Sequence, residues 1–236
     1  AADSLFELPA NSRQADVQPP QNDAQTLQNE TQTLQNDALP LRASQLIEQA
    51  SLTESIAIQA ALAPTSTIVF VDTGIEGYQS IVEKLTPTDP EDMRLVVLLE
   101  ADQDGIQQIG NVLRGLKGID AVHILSHGTS GSLQLGRTQL NAQNLDRYQT
   151  AIEGWSEALT TEADLLLYGC NVADGQTGVE FIERLSRITR ADIAASSDLT
   201  GSGALGGDLE LEVTTGYLQT EPLIAMGSYS GLLHTF

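Results

Sequence analysis

Five short stretches of the chain are mainly apolar with little alternation: residues 68–72, 95–99, 121–126, 165–169 and 191–196. Runs of this length suit strands covered on both faces, the pattern of a parallel sheet. Between them the period changes to that of a helix. Residues 78–85 read as helical. Within 105–116, Ile106, Ile109, Val112, Leu113 and Leu116 share one face, and Gly118 is the stop signal. Residues 178–188 carry Val179, Phe181, Ile182, Leu185 and Ile188 at helical spacing, and 141–159 reads as one long helix. Residues 132–135 and 138–140, joined across Gly136-Arg137, form a small hairpin. Residues 208–213 alternate polar and apolar, as an antiparallel edge strand does. Repeated strand–helix alternation predicts an α/β fold: a mostly parallel sheet with helices on both faces, a three-layer sandwich. Its crossovers are right-handed.

The first part of the chain has another texture. Residues 1–45 are rich in Gln, Asn, Asp and Pro, with a near-repeat from Gln25-Thr26-Leu27-Gln28-Asn29 to Gln32-Thr33-Leu34-Gln35-Asn36. Only one apolar position recurs per heptad, where a coiled-coil seam needs two, so this stretch reads as a low-complexity linker. A helix is predicted over 43–62, capped by Ser44 and ended by Pro64, within a helical segment at 46–64. The α/β domain occupies 65–236.

Composition narrows the partners. The chain has 236 residues and a net charge of −21. That excess of acid argues against nucleic acid and anionic membrane, both of which need basic patches. A single cysteine excludes an internal disulfide and cysteine-rich zinc sites. No run approaches 18 apolar residues, so no membrane span is expected. The first residues lack the basic and apolar regions of a signal peptide. No Gly-x-Gly-x-x-Gly or Walker loop follows the first strand, which runs into Asp72-Thr73-Gly74. No cofactor or metal is therefore expected.

The candidate chemistry lies at two strand ends. One apolar run ends in Ser126-His127-Gly128, the other in Tyr168-Gly169-Cys170. Ligands of α/β sheets bind beyond the carboxyl ends of the strands. A thiol needs a neighbouring imidazole to become a nucleophile, so Cys170 and His127 are the candidate catalytic pair. The backbone N–H groups of Gly128 and Cys170 are the candidate oxyanion hole. Asp72 and Asp198 end or follow other strands at the same rim, and with Ser196 they are candidate substrate-binding residues. An acidic pocket wall there favours Arg or Lys before the cut. The alternative for Cys170 is a small buried hydrophobe. His123 and His127 stand on one strand about 13 Å apart, too far to share one ion, so His123 reads as a core residue. The glycine-rich run 201–207 reads as unusual backbone or a loop beside the site. His234, in the tail, has no motif around it.

These strand ends resemble those of the caspase-like cysteine peptidases, the group holding gingipain, legumain, clostripain and separase. More closely, residues 68–216 resemble DUF4347, a bacterial domain found near the N-termini of very large secreted, adhesin-like proteins. The matching stretches are Ser126-His127-Gly128-Thr129-Ser130-Gly131-Ser132-Leu133-Gln134-Leu135-Gly136, Tyr168-Gly169-Cys170-Asn171-Val172-Ala173, and Leu199-Thr200-Gly201 with Leu205-Gly206-Gly207-Asp208-Leu209-Glu210-Leu211-Glu212. The resemblance implies a caspase-like fold and a Cys170–His127 dyad. It also implies an extracellular or cell-surface setting and a peptide or protein substrate, with the parent chain itself a candidate. Many caspase-like peptidases carry Ala before the nucleophile, where this chain has Gly169, and the Gln-Ala-Cys signature of caspases is absent. The competing expectation is a non-catalytic module of an adhesin. A calcium- or sugar-binding domain has only the acidity behind it, with no Asp-x-Asp-x-Asp-Gly loop.

Overall fold

Strand β1 (Leu41–Arg42) lies beside β3 in the sheet, inside the stretch whose composition reads as linker. The computed structural model describes residues 41–42, 67–87, 94–223 and 229–234, and the helix predicted over 43–62 falls outside them. The chain continues through β2 (Thr67–Asp72), α1 (Tyr78–Leu85), β3 (Leu95–Leu99), α2 (Gly105–Leu113) and β4 (Ile119–Leu125). A small antiparallel sheet follows: β5 (Gly128–Thr129), β6 (Ser132–Leu135) and β7 (Thr138–Asn141). Then come α3 (Leu145–Glu153), β8 (Leu159–Tyr168), α4 (Gly175–Thr189), β9 (Asp192–Ala195) and β10 (Val213–Thr214).

The main sheet runs β1-β3-β2-β4-β8-β9-β10. Every neighbouring pair is parallel except β9 with β10. This is the α/β fold with a mostly parallel sheet that the apolar runs predict. The central strands are buried along nearly their whole length because helices or chain segments cover both faces. On one face Phe70, Val97, Ile124 and Leu167 meet Ile106 and Ile109 of α2, Ile152 of α3, and Phe181, Ile182 and Leu185 of α4. On the other, Val69, Val71, Leu125, Leu166 and Tyr168 meet Ile81, Val82 and Leu85 of α1. This second face is completed by Leu223, Tyr229 and Leu233, which come from the end of the chain rather than from a helix.

Local chemistry sets the helix ends. Asp104 caps α2, its carboxylate accepting from Ile106 N (3.0 Å) and Gln107 N (3.1 Å). Arg190 ends α4 in the left-handed region at φ 60°.

Two expectations change in detail. The long helix over 141–159 is shorter: α3 stops at Glu153, a 3₁₀ turn occupies Gly154–Glu157, and β8 already begins at Leu159. Thr160, Thr161 and Glu162 form the less buried start of that strand, so their polarity hides it. The alternation over 208–213 is real, with Leu209 and Leu211 half-buried against the second face. Only Val213–Thr214 pairs with β9, antiparallel as expected.

Candidate functional site

β4 and β8 pair in parallel, with Leu125 opposite Tyr168 and Ser126 N donating to Tyr168 O at 3.0 Å. Two residues further along each chain stand His127 and Cys170. The two candidates therefore leave neighbouring strands at the same rim. Close packing explains the glycines around them. A Cβ on Gly128 would lie 2.6 Å from Val172 Cγ2 and 2.9 Å from Cys170 O. A Cβ on Gly169 would lie 3.0 Å from Ser126 O and 3.2 Å from Gly128 N. The glycine before Cys170 thus keeps the two strand ends close. Asn171, directly after the cysteine, takes the left-handed conformation at φ 59°, and its N–H donates to Asp198 O at 2.6 Å.

The amides of Gly128 and Cys170 share one acceptor. Gly128 N donates to Leu233 O at 3.1 Å, and Cys170 N donates to the same oxygen at 3.0 Å. The segment carrying Leu233 lies antiparallel to the chain after β9. Leu233 N donates to Thr200 O (2.9 Å), and Ser202 N donates to Gly231 O (2.8 Å). Gly201, at φ 135°, permits this approach, since a Cβ there would lie 2.5 Å from Gly231 O. A peptide segment is thus laid across the rim through isolated bridges, one carbonyl held between the two strand ends.

Cys170 is fully buried. Its Sγ accepts from Thr200 N (3.3 Å) and lies 3.5 Å from Thr200 O, to which the thiol donates. Burial pushes the thiol pKa up; hydrogen bonds from the Thr200 and Leu233 region oppose this, and the Asp198 charge adds to it. His127 is half-buried, and its Nδ1 is buried without a hydrogen-bond partner. Thr200 Oγ1 is likewise buried and unpartnered. Among the described residues no hydrogen bond joins Cys170 to His127.

The other predicted residues take distinct places. Asp72 is buried at the end of β2, and its carboxylate accepts from Gly74 N (2.7 Å) and Gly136 N (2.6 Å). Burial raises its pKa, while those two bonds and the nearby His127 charge pull the other way. Asp72 therefore ties the β6–β7 turn to the rim within electrostatic reach of His127. Ser196 is buried, and its hydroxyl bonds Asp198. Asp198 is exposed and forms a surface group with Asp208 and Glu212, whose carboxylate oxygens lie within 4.8 Å of one another. Partial desolvation and the charges of Glu212 and Asp208 raise its pKa.

His123 is a core residue, as its position predicts. It stacks on Tyr168 with ring centroids 6.0 Å apart, Nδ1 being 3.4 Å from the phenol oxygen. Burial, with a smaller contribution from Arg94, pushes its pKa down to about 4. The Tyr168 hydroxyl also accepts from Leu223 N at 2.7 Å.

Thr200 lies in the Leu199-Thr200-Gly201 stretch that carries the resemblance, but Gly231 and Leu233 carry no sequence signal comparable to His-Gly or Gly-Cys. They act through main-chain groups, which every residue shares. The spaced glycines at 201 and 231 are the one visible trace.

No curated protein and no solved structure matches the chain. Residues 68–233 match the family model described as a domain of unknown function, DUF4347, and the chain belongs to that family.

Proposed function

We propose that this domain is a cysteine endopeptidase of the caspase-like kind, in which Cys170 attacks and His127 serves as base, then acid. The observation that carries this reading is the convergence of the Gly128 and Cys170 amides on one peptide carbonyl. Acyl transfer concentrates negative charge on that oxygen, and two fixed N–H groups aimed at it stabilise the charge without reorganisation. The matched positions of His127 and Cys170 beyond the Leu125–Tyr168 pair support the dyad. So does an imidazole nitrogen buried without a partner.

Chemically, the thiol is neutral at rest, because burial raises its pKa. The proton passes to His127 as Sγ bonds to the carbonyl carbon, and from His127 to the leaving nitrogen as the C–N bond breaks. Water then hydrolyses the thioester with His127 again as base. Asp72, within electrostatic reach of His127 and fixed by the Gly74 and Gly136 amides, acts as a positioning group. The substrate is an extended peptide that pairs with residues 200–202. In this reading the domain acts within a secreted or surface-exposed protein. The test is cleavage of an unfolded protein: activity should vanish in Cys170→Ala and fall about 10²–10⁴-fold in His127→Ala.

A second reading has its own support. A fully buried thiol bonded to the Thr200 backbone also suits a structural cysteine in a non-catalytic adhesin module. Under that reading Cys170→Ala alters stability alone.

A further inference from the structure

Resting on the peptidase reading, we infer that residues 231–234 are the site's own substrate, bound in cis, and that the bond cut is Leu233–His234. A plain structural tail explains main-chain pairing with residues 200–202. It does not require that the carbonyl of one residue, Leu233, take both amides of the oxyanion pair. The bond following that carbonyl is the one an oxyanion hole activates. His234, on the leaving side, bridges in parallel to Gly128, the neighbour of His127. The nitrogen that must receive a proton therefore lies beside the residue next to the proposed acid.

The side chain before the cut defines the specificity. Leu233 is fully buried in the apolar cluster that holds Val71, Ile75, Leu125, Tyr168 and Cys170. Both Asp72 oxygens are occupied by Gly74 and Gly136 amides. The pocket thus takes an aliphatic side chain in place of the Arg or Lys that an acidic wall favours. Leu232, half-buried on the same face, is the next residue back. Its Cδ2 lies where Gly207 leaves room, 2.7 Å from the site of a Cβ.

The step balances as a hydrolysis. Cys170 Sγ bonds to the Leu233 carbonyl carbon, and the thiol proton goes to His127. The Leu233–His234 bond breaks as His127 returns that proton to the His234 nitrogen. Water splits the thioester, leaving a carboxylate on Leu233, an amine on His234 and the thiol restored. No oxidant or other co-reactant enters.

The test is intact-mass analysis of the full chain over time at neutral pH, with an unfolded protein as a parallel external substrate. The expected result is a product ending at Leu233, formed with a rate constant independent of protein concentration and absent in Cys170→Ala. Leu233→Asp should slow the cut at least about tenfold, since a charge must enter an apolar pocket. Leu233→Met, which keeps the packing, should retain it. Cys170-dependent cleavage of the external protein with no product ending at Leu233 overturns this inference and leaves the peptidase reading standing. Equal cutting in Leu233→Asp and wild type overturns the specificity argument. Absence of Cys170-dependent cleavage of both substrates overturns the inference together with the reading it rests on.

Discussion

Cys170 N donates to Leu233 O at 3.0 Å, so the cysteine two residues beyond β8 holds the carbonyl of a residue more than sixty positions later in the chain. Gly128 N completes the pair at 3.1 Å. Because both donors are backbone groups, only their placement can be altered. Gly128→Ala does this, forcing a methyl to within 2.6 Å of Val172 Cγ2. The expected cost is about 1–3 kcal/mol of stability, read by urea unfolding. Displacing one oxyanion donor should also lower kcat by about 10²–10³-fold. A folded Gly128→Ala protein with unchanged turnover would argue against the amide pair.

Gly201 is the position where the docked segment bridges the chain after β9, opposite Leu232. Gly201→Val meets both a φ of 135° that side chains avoid and the Gly231 carbonyl 2.5 Å away. Residues 229–234 should detach, exposing part of the second sheet face. Hydrogen exchange should then rise in β8 near Tyr168 and at the amides of Gly128 and Cys170. Unchanged protection of those two amides would contradict the docking.

His123 predicts an acid-side loss of stability. Its folded pKa, about 4, lies below the ordinary value of 6.5. The stability it contributes is therefore complete above pH 6.5 and lost as pH falls through about 4, because the unfolded chain binds the proton first. Between pH 7 and 4 this amounts to about 3 kcal/mol. His123→Phe should flatten that part of the pH–stability curve in denaturant titrations. An unaltered curve would mean that other groups set it.

Asp198 bears on the thiol from the surface. Its charge raises the Cys170 pKa, after burial, the larger cause. Asp198→Asn should shift the pH dependence of Cys170 alkylation to lower pH without a change in fold. A shift to higher pH would show that the Asp198 carboxylate acts through its bond to Ser196 instead.

Much of the framework is legible in the sequence, for physical reasons. Strands buried on both faces must be apolar throughout, so residues 68–72, 95–99 and 165–169 announce themselves. Amphipathic helices such as α4 do the same through spacing. The His127 and Cys170 strand ends follow from parallel pairing, since neighbouring parallel strands finish at one rim. What the pattern hides is the polar start of β8 at Thr160–Glu162, which resembles the exposed face of a helix. It also hides the segment at residues 231–234, which meets the site through isolated bridges of Leu232 to Gly201 and His234 to Gly128. That segment docks through N–H and C=O groups common to all residues, and no side-chain motif marks His234 or Leu233. The role of Gly201 shows only when its φ and the nearby Gly231 carbonyl are seen together.

The central claim is that the imidazole of His127 activates the thiol of Cys170. The most direct measurement is the rate of Cys170 alkylation by iodoacetamide in the native protein from pH 6 to 9, in wild type and His127→Ala, each corrected for its stability to unfolding. The account predicts that His127→Ala reacts at least about tenfold more slowly near pH 7, and that the gap narrows only as pH rises toward the thiol's own raised pKa. Equal rates in the two proteins at every pH would contradict it.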